Sequence, residues 1–318
     1  MMNWYKFDPV DTLFFKGAEP MVMGENHTTS HLFPPMPQTI AGALRTAVLV
    51  QKQIDFSDYA RGEVSADILE AVGMAGSPAP FSVTGPLFMA GEEIFAPAPY
   101  HWFTEKETME KNSHPQPVMV YKGKPVTTSL LKTPFSPVYW ATGDQGELVS
   151  LGGTWIRLHD LLAGNEMVEL KQAADLFTLE ERTGIALHQN RKVREGHLYT
   201  FNHIRLRNNV SMIFGADQDL PLADSGVLKL GGEQRFGQYC KFSPSVDWPS
   251  DDNGLFVSLS AIEGSEEAEA TLIATGKILY IGGWDMHKGF HKHMKGYFPP
   301  GTVFNKKINA NLITIQGV

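Results

Sequence analysis

Three prolines within four positions, Pro34, Pro35 and Pro37, stand directly before a helical pattern of apolar residues. Proline fixes its own φ and holds the preceding residue extended, so the chain has to enter this helix from a stiff, extended segment. Thr39 is the predicted N-cap. The apolar positions at helical spacing are Ile40, Ala43, Leu44, Ala47 and Val48. The pattern therefore predicts an amphipathic helix whose apolar stripe packs on a sheet.

Beside that stripe we expect a less buried flank carrying Ala41, Gly42 and Arg45. Small side chains let another backbone approach closely, and the Arg45 guanidinium can donate to a phosphate or a carboxylate. The positive end of the helix dipole, aimed by the prolines, also favours anions. The alternative is that the prolines only end a loop and that Arg45 is solvated, and this stretch alone leaves both readings open.

The remainder of the chain is dominated by strand-like runs with few helices, which predicts an α+β fold. A shift in composition between residues 165 and 180 suggests two domains, and we place them at residues 1–170 and 171–318. A length of 318 residues with 42% hydrophobic content is sufficient for two packed domains.

The sequence shows neither a signal-peptide pattern nor a membrane-spanning pattern. The N-terminus has no cationic start followed by an apolar run, and no stretch reaches the ~18 apolar residues that a membrane span needs. Cys240 is the single cysteine, so an internal disulfide is impossible. We therefore expect a cytoplasmic protein.

Charge is segregated along the chain, although the formal net charge is −8. Residues 182–207 hold six Lys or Arg against one acid, and residues 277–307 hold six lysines against one acid, whereas residues 242–276 hold no Lys or Arg at all. Such a distribution allows a polyanion-binding face and a separate acidic face for basic protein partners. Ordinary solvated surface is the alternative.

The segment LKLGGEQRFGQY, residues 228–239, combines a glycine pair with a cation. Gly231 and Gly232 predict a tight, bare turn beside Arg235, which suits the close approach of an RNA backbone. Gln238 and Tyr239 stand where a nucleotide-binding P-loop needs Lys and Ser or Thr, so that function is excluded. A purely structural hairpin turn is the alternative.

The segment LYTFNHIRLR predicts a strand with two distinct faces. Tyr199, Phe201, His203, Arg205 and Arg207 share one face, and the other face is largely apolar. Aromatic and basic side chains on one face are typical of a surface that stacks bases and holds phosphates. The alternative for the two aromatic rings is packing inside a core between domains.

Near the C-terminus three histidines, His287, His291 and His293, lie among lysines that include Lys288. Lysines disfavour a dication, so we expect neither a metal site nor a cofactor, and interpret the segment as a basic loop that touches RNA.

Five segments in fixed order carry a resemblance to a known family: DTLFFKG, FPPMPQTIAGALRTAVL, GHLYTFNHIRL, LKLGGEQRFG and GYFPPGTVF. Together they resemble the third subunit of the CRISPR type III-B, or Cmr, effector complex, in the RAMP superfamily. The resemblance implies two ferredoxin-like (RRM-like) halves packed together, with long loop insertions and a glycine-rich loop.

It also implies a function without catalysis: holding the 5′ repeat-derived handle of the guide RNA, and docking the large polymerase/cyclase subunit and the neighbouring backbone subunits, in antiviral defence. Target RNA would be an indirect partner. The residues expected to bind RNA are Gly42, Arg45, Arg194, His203, Arg205, Arg207, Gly231, Gly232, Arg235 and Lys288. The sequence departs from the family pattern in two ways. Its overall acidity suggests that RNA binding depends on the assembled complex. In addition, Pro300 stands where a small residue is expected before Gly301.

Two other functions fit parts of the sequence. A metal-independent endoribonuclease that matures guide RNA would use histidines such as His31, His203 or His291 as acid and base. A structural scaffold would dock a basic partner through the acidic segment 251–269 without touching RNA.

Overall fold

The computed structural model describes residues 2–17, 32–110, 117–126, 138–142, 146–249, 253–285 and 290–315. Its helices are short apart from the first: α1 Pro37–Gln51, α2 Phe56–Arg61, α3 Ala66–Val72, α4 Lys106–Glu110, α5 Leu158–Ala163, α6 Ala173–Leu176 and α7 Glu266–Ala270.

Strands make up most of the regular structure. In chain order they are β1 Asn3–Pro9, β2 Val83–Ala90, β3 Glu93–Pro97, β4 Trp102–Glu105, β5 Val118–Met119, β6 Tyr121–Lys122, β7 Lys124–Val126, β8 Val138–Trp140, β9 Leu148–Ser150, β10 Trp155–Arg157, β11 Met167–Val168, β12 Leu170–Lys171, β13 Phe177–Leu187, β14 Val193–Leu206, β15 Val210–Ala216, β16 Ser225–Lys229, β17 Phe236–Phe242, β18 Leu255–Ser258, β19 Ile262–Glu263, β20 Leu272–Ala274, β21 Leu279–Asp285, β22 Phe290–Phe298, β23 Val303–Phe304 and β24 Leu312–Ile315. The predicted α+β class is confirmed.

The chain forms two compact units, each assembled from separated stretches. The first unit is Met1–Val83, Phe177–Ser243 and Tyr280–Lys295, and the second is Thr84–Leu176, Pro244–Leu279 and Gly296–Val318. This organisation differs from the predicted split at residue 170, because β1 pairs with β15 and β17, more than 200 residues further along the chain. A boundary read from local composition cannot register such long-range pairing. The ferredoxin-like description of each half stays a prediction.

The sheet of the first unit has the strand order β15, β1, β17, β16, and the neighbouring strands are antiparallel. Alternation along β1 directs Tyr5 and Phe7 to the buried face, where Tyr5 lies opposite Phe214 and Phe7 opposite Tyr239. Helix α1 packs on β16. The Gln51 amide nitrogen donates to the Tyr239 hydroxyl over 2.6 Å, which fastens the C-terminal end of α1 to the sheet.

Helix α1 begins earlier than predicted. Pro37 occupies its first turn and Met36 is the N-cap residue, so Thr39 lies inside the helix. Proline is suited to the first helical position because the amide hydrogen that it lacks would have had no partner there. The predicted apolar stripe is buried, and Ala41, which we had expected on the open flank, is buried as well.

A long two-stranded hairpin, β13 paired with β14, extends from the first unit. It is anchored to the segment that follows β1, since Leu13 and Ile204 exchange two backbone hydrogen bonds of 2.8 Å. The pairing confirms that β14 is a strand with alternating faces. The side chains of residues 196–199 lie outside the described part of the structure.

The second unit contains an antiparallel sheet of order β12, β10, β3, β2 and another of order β20, β23, β18, β24. Its apolar core includes Phe256, Phe298 and Phe304. The turn next to Pro300 is closed by a hydrogen bond from the Thr302 amide to the Pro299 carbonyl, and Gly301 adopts φ +90° beside the Ala98 carbonyl. Pro300 is therefore compatible with this turn. Within the described ranges, no helix has the length and apolarity required to cross a membrane.

Candidate nucleic-acid interface

A groove of about 550 Å³ lies in the first unit, between α1, the segment after β1 and the β16–β17 turn. Its volume falls within the ~300–1,000 Å³ range of ligand sites. The lining residues are Phe14, Phe15, Lys16, Leu32, Pro35, Met36, Thr39, Gly42, Ala43, Thr46, Lys229, Gly231 and Gly232. The structure thus brings together Gly42 and the Gly231–Gly232 pair, which are separated by almost 190 residues in sequence.

The α1 side of this groove is open at Gly42. A β-carbon built on Gly42 meets nothing within 4 Å, so the position has room for a larger side chain. Pro35, Met36 and Thr39, from the proline-rich entry and first turn of α1, form the adjacent wall. The stiff entry segment therefore contributes to the groove itself as well as aiming the helix.

The opposite wall is the glycine-rich turn. The Gly232 amide donates to the Phe14 carbonyl over 2.8 Å, and the Arg235 amide donates to the Gly232 carbonyl over 3.2 Å. Gly231 has φ +92°, and a β-carbon there would stand 2.5 Å from the Phe14 carbonyl oxygen. The close approach that these glycines permit is therefore first of all the approach of Phe14's own backbone.

Two non-glycine residues complete the turn in the left-handed region: Glu233 at φ +58° and Gln234 at φ +53°. Left-handed geometry at both central positions is that of a type I′ hairpin turn, for which Asn-Gly is the common sequence. The turn is consequently held by its contacts with Phe14 and its hydrogen bonds more than by local preference.

Next to this turn, three arginines converge on one carboxylate. Asp11 Oδ1 lies 2.9 Å from Arg205 Nη2, and Asp11 Oδ2 lies 3.1 Å from Arg182 Nη2 and 3.2 Å from Arg235 Nη1. Glu180 binds two of the same guanidiniums, at 2.7 Å from Arg182 and 2.6 Å from Arg205. We call Asp11, Glu180, Arg182, Arg205 and Arg235 the arginine cluster. Its three guanidiniums and two carboxylates leave one net positive charge.

The cluster keeps both acids ionised at neutral pH. Partial burial acts to raise the pKa of Asp11, but hydrogen bonds from Arg182 and Arg205 and the charge of Arg182 overcome it and lower the pKa to about 2. Hydrogen bonds from the same two arginines lower the pKa of Glu180.

His203, a predicted RNA contact, is instead buried, with 1% of its surface exposed. Its Nδ1 lies 3.0 Å from the Thr12 hydroxyl, and its ring stacks on Phe14 with the centroids 5.3 Å apart. Desolvation, followed by the charges of Arg235 and Arg182, lowers the pKa of His203, so the ring is neutral at neutral pH. Phe201 also packs against Phe14, at 5.0 Å between ring centroids. Both side chains support the groove from within, so we assign His203 to packing and not to RNA contact.

Arg45 does not face the groove. Its guanidinium donates to the Ser77 carbonyl over 2.8 Å, to the Met74 carbonyl over 2.7 Å and to the Tyr59 hydroxyl. Arg45 therefore holds the chain that follows α3, and of the predicted RNA-binding arginines, Arg205 and Arg235 lie together at Asp11. Gly42 and Arg45 lie about one turn apart on α1, but the long Arg45 side chain is held by Ser77, Met74 and Tyr59, whereas Gly42 lines the groove.

The remaining predicted contacts lie apart from the groove or outside the description. Arg194 is exposed on β14, eleven residues from Arg205, which corresponds to about 36 Å along the strand. Arg207 is exposed just after β14. Lys288 lies outside the described residues, as do His31 and His287, and so does the side chain of His291.

Sequence reasoning missed Lys16, Lys229, Arg182 and the two acids Asp11 and Glu180. Asp11 and Lys16 both belong to the DTLFFKG segment, and Lys229 adjoins the glycine-rich turn. The positions of Asp11, Lys16 and Lys229 within segments already singled out were a usable signal of their role. Among the residues with described side chains, no group of three or more His, Cys, Asp or Glu is arranged to hold a metal ion.

This architecture is similar to that of chains solved within type III-B CRISPR effector complexes. One chain of the Type III-B Cmr-beta complex bound to cognate target RNA and AMPPnP, solved by cryo-EM, aligns with a TM-score of 0.55 at 16% identity, covering 95% of this chain and 85% of that one. A second, from the complex bound to cognate target RNA, aligns with a TM-score of 0.54 at 16% identity, covering 95% of this chain and 86% of that one.

The sequence match goes further than the fold: the chain belongs to the family described as CRISPR-associated protein (Cas_Cmr3), whose model matches residues 5–253. The resemblance noted in the sequence is confirmed. Comparison with curated protein sequences gave no match.

Proposed function

We propose that this chain is a non-catalytic RNA-binding subunit of a type III-B effector complex, and that the groove holds the 5′ repeat-derived handle of the guide RNA. One observation carries the proposal: the open Gly42 flank of α1 and the Gly231–Gly232 turn, predicted separately from sequence, line the same groove. The bare backbone at Gly42 admits a nucleic-acid backbone more closely than a side chain would, and the close packing of the glycine turn on Phe14 sets the opposite wall.

Lysines supply the positive charge that phosphates need. Lys16 and Lys229 line the groove and both are exposed. Phe14, Phe15 and Met36 line the groove but are buried, so they fix its shape and leave the contacts with RNA to the exposed lysines and to the backbone. The net charge of −8 works against RNA binding at long range, so stable binding is expected in the assembled complex more than by the isolated chain.

The test is Gly42→Leu in the reconstituted complex, with Gly42→Ala as the matched control. Since a β-carbon at position 42 has no neighbour within 4 Å, both variants fold, but the leucine side chain extends into the groove. We expect Gly42→Leu to lower guide occupancy at least tenfold and Gly42→Ala to leave it near wild type. Full guide occupancy in the leucine variant contradicts the proposal.

Charge gives an independent test. Lys229→Gln removes one cation from the groove, so the slope of log affinity for guide RNA against log salt concentration falls by about 0.7 for a single-stranded contact. Lys52→Gln, in the same unit just after α1 but outside the groove, is the control. Equal slopes for the two variants would remove Lys229 from the interface.

Docking of the large polymerase/cyclase subunit is the second part of the proposal. Helix α7 presents Glu266, Glu267 and Glu269, with Ser265 as its N-cap, and Glu267 is paired with Lys306. We assign this acidic surface to a basic protein partner. The double change Glu266→Lys/Glu269→Lys should reduce copurification of the large subunit and leave guide occupancy unchanged. The scaffold alternative is favoured if the α7 variant reduces copurification of the large subunit while no groove variant changes guide occupancy.

The ribonuclease alternative loses one candidate, because His203 is buried against Thr12 and Phe14. Incubating the purified chain with repeat RNA tests what remains. A discrete cut that a single His31→Ala or His291→Ala change abolishes would replace our proposal with an enzyme.

A further inference from the structure

We propose that the arginine cluster is a phosphate site whose ligand position is occupied, in the free protein, by the protein's own Asp11 carboxylate. When RNA lies in the groove, one of its phosphodiesters takes the place of Asp11 against Arg182, Arg205 and Arg235. The identity of the ligand as RNA rests on the proposed function. The anion site itself rests on the cluster's geometry.

The geometry of Asp11 is that of a bound ligand. Its two oxygens accept hydrogen bonds from Arg182 on β13, Arg205 on β14 and Arg235 in the glycine-rich turn, all between 2.9 and 3.2 Å. Guanidiniums recognise carboxylates and phosphates through the same planar donor geometry. A phosphodiester carries the same single charge as the carboxylate, so the exchange leaves the charge of the site unchanged.

Two of the three arginines do not depend on Asp11 for their positions. Glu180 accepts from both Nε and Nη2 of Arg182, at 2.9 and 2.7 Å, and from Nε of Arg205, at 2.7 Å, and it forms an ion pair with Arg205 Nη2 at 2.6 Å. Arg235 has donor capacity to spare, because its buried Nε has no hydrogen-bond partner among the described residues. Glu180 is thus the acid that positions Arg182 and Arg205, and Asp11 is the acid that fills the space between the three guanidiniums.

Two chain segments connect the cluster with the groove. Residues 11–16 lead from Asp11 to Phe14, Phe15 and Lys16, and the glycine-rich turn leads from Gly231 and Gly232 to Arg235. RNA held in the groove therefore presents its next phosphate to the cluster at a high effective concentration, whereas a free anion has to compete with Asp11 from bulk solution. Asp11 favours tethered phosphodiesters over free anions by this competition.

The experiment compares Asp11→Asn with wild type, with Asp58→Asn, an acid on α2 that pairs with Arg61 outside the cluster, as the control for charge. Inorganic phosphate binding to the purified chain is measured by calorimetry, and guide retention in the assembled complex by a salt titration. We expect Asp11→Asn to bind phosphate about tenfold more tightly and to retain guide at higher salt. Asp58→Asn should behave as wild type, and adding Arg235→Gln to Asp11→Asn should abolish both gains.

The outcomes separate this proposal from the groove proposal. No gain in phosphate affinity in Asp11→Asn overturns the anion site, whatever Gly42→Leu does to guide occupancy. A gain for inorganic phosphate without any gain in guide retention overturns the exchange with RNA and assigns the site to free phosphate. If Asp11→Asn does not fold, the single variant Arg235→Gln tests the proposal. It should lower guide retention and reduce the slope of log affinity for guide RNA against log salt concentration. An unchanged slope refutes the proposal.

Discussion

Gly231→Ala offers the sharpest test of how the glycine-rich turn is built. The substitution keeps every charge and adds one methyl group at a residue with φ +92°, where the new carbon would stand 2.5 Å from the Phe14 carbonyl oxygen and 3.2 Å from the Phe15 ring. The obstacle is backbone, so it cannot swing aside as a flexible side chain would. The turn has to move away from Phe14 or the chain has to leave its left-handed conformation.

Two terms give the magnitude. A left-handed backbone costs a non-glycine residue about 1–2 kcal/mol. Withdrawal of the turn also breaks the hydrogen bond from the Gly232 amide to the Phe14 carbonyl, 2.8 Å long in the wild type, at about 1 kcal/mol. The local stability of the turn should therefore fall by about 2–3 kcal/mol.

Amide hydrogen exchange at Gly232 measures this local stability directly, because that amide donates the bond at risk. A loss of about 2–3 kcal/mol speeds its exchange by roughly 30- to 150-fold at 1.4 kcal/mol per factor of ten. Gly42→Ala is the matched control, since its β-carbon meets open space and the helix gains about 0.5–1 kcal/mol. An unchanged exchange rate at Gly232 in Gly231→Ala would refute the claim that this turn is pressed against Phe14.

Three further predictions concern stability. The pKa of Asp11 is about 2 in the folded chain, against an ordinary 3.8, so its ion pairs stabilise the fold fully above pH about 4 and lose that effect as the pH falls to about 2. After solvent screening, their contribution to the free energy of unfolding is about 1 kcal/mol. Urea unfolding measured from about pH 4 to about pH 2 should show this loss in wild type and not in Asp11→Asn. Arg45→Met removes hydrogen bonds to Ser77, Met74 and Tyr59, so thermal unfolding should show the first unit destabilised by about 1–3 kcal/mol. Guide retention should stay unchanged at temperatures where the chain is folded. Gly301→Ala, at φ +90° with its β-carbon against the Ala98 carbonyl, should lower the unfolding midpoint of the second unit, and a midpoint equal to that of wild type would show that this turn adapts freely.

Local patterns predicted the local structure. Helix α1 was readable because its signals, the prolines and the 3.6-residue spacing of Ile40, Leu44 and Val48, lie within a few residues of one another. The alternating faces of β14 were readable for the same reason. The N-cap lies three residues before the predicted Thr39, at Met36, because a proline in the first turn replaced side-chain capping.

Interactions across long sequence separations were not predictable from the sequence alone. Arg45 looked like a free cation because its partners lie 14 to 32 residues away, Tyr59 on α2 and Met74 and Ser77 in the segment after α3. The partners of Asp11 could not be identified, although it lies in the DTLFFKG segment, since its three arginines are 171 to 224 residues distant. Gly42 and the Gly231–Gly232 pair were singled out separately, and their proximity became visible only in the fold, because almost 190 residues separate them.

The central claim is that the guide RNA lies against Gly42 in the groove, and photo-crosslinking tests it most directly. A photoreactive amino acid replaces Lys229, whose long, exposed side chain lines the same groove as Gly42, in the assembled, guide-loaded complex, and a second complex carries it at Asp58 on α2. Crosslinks from position 229 to nucleotides of the 5′ handle, with none from position 58, are the predicted result. Crosslinks from position 229 to protein alone would contradict the account.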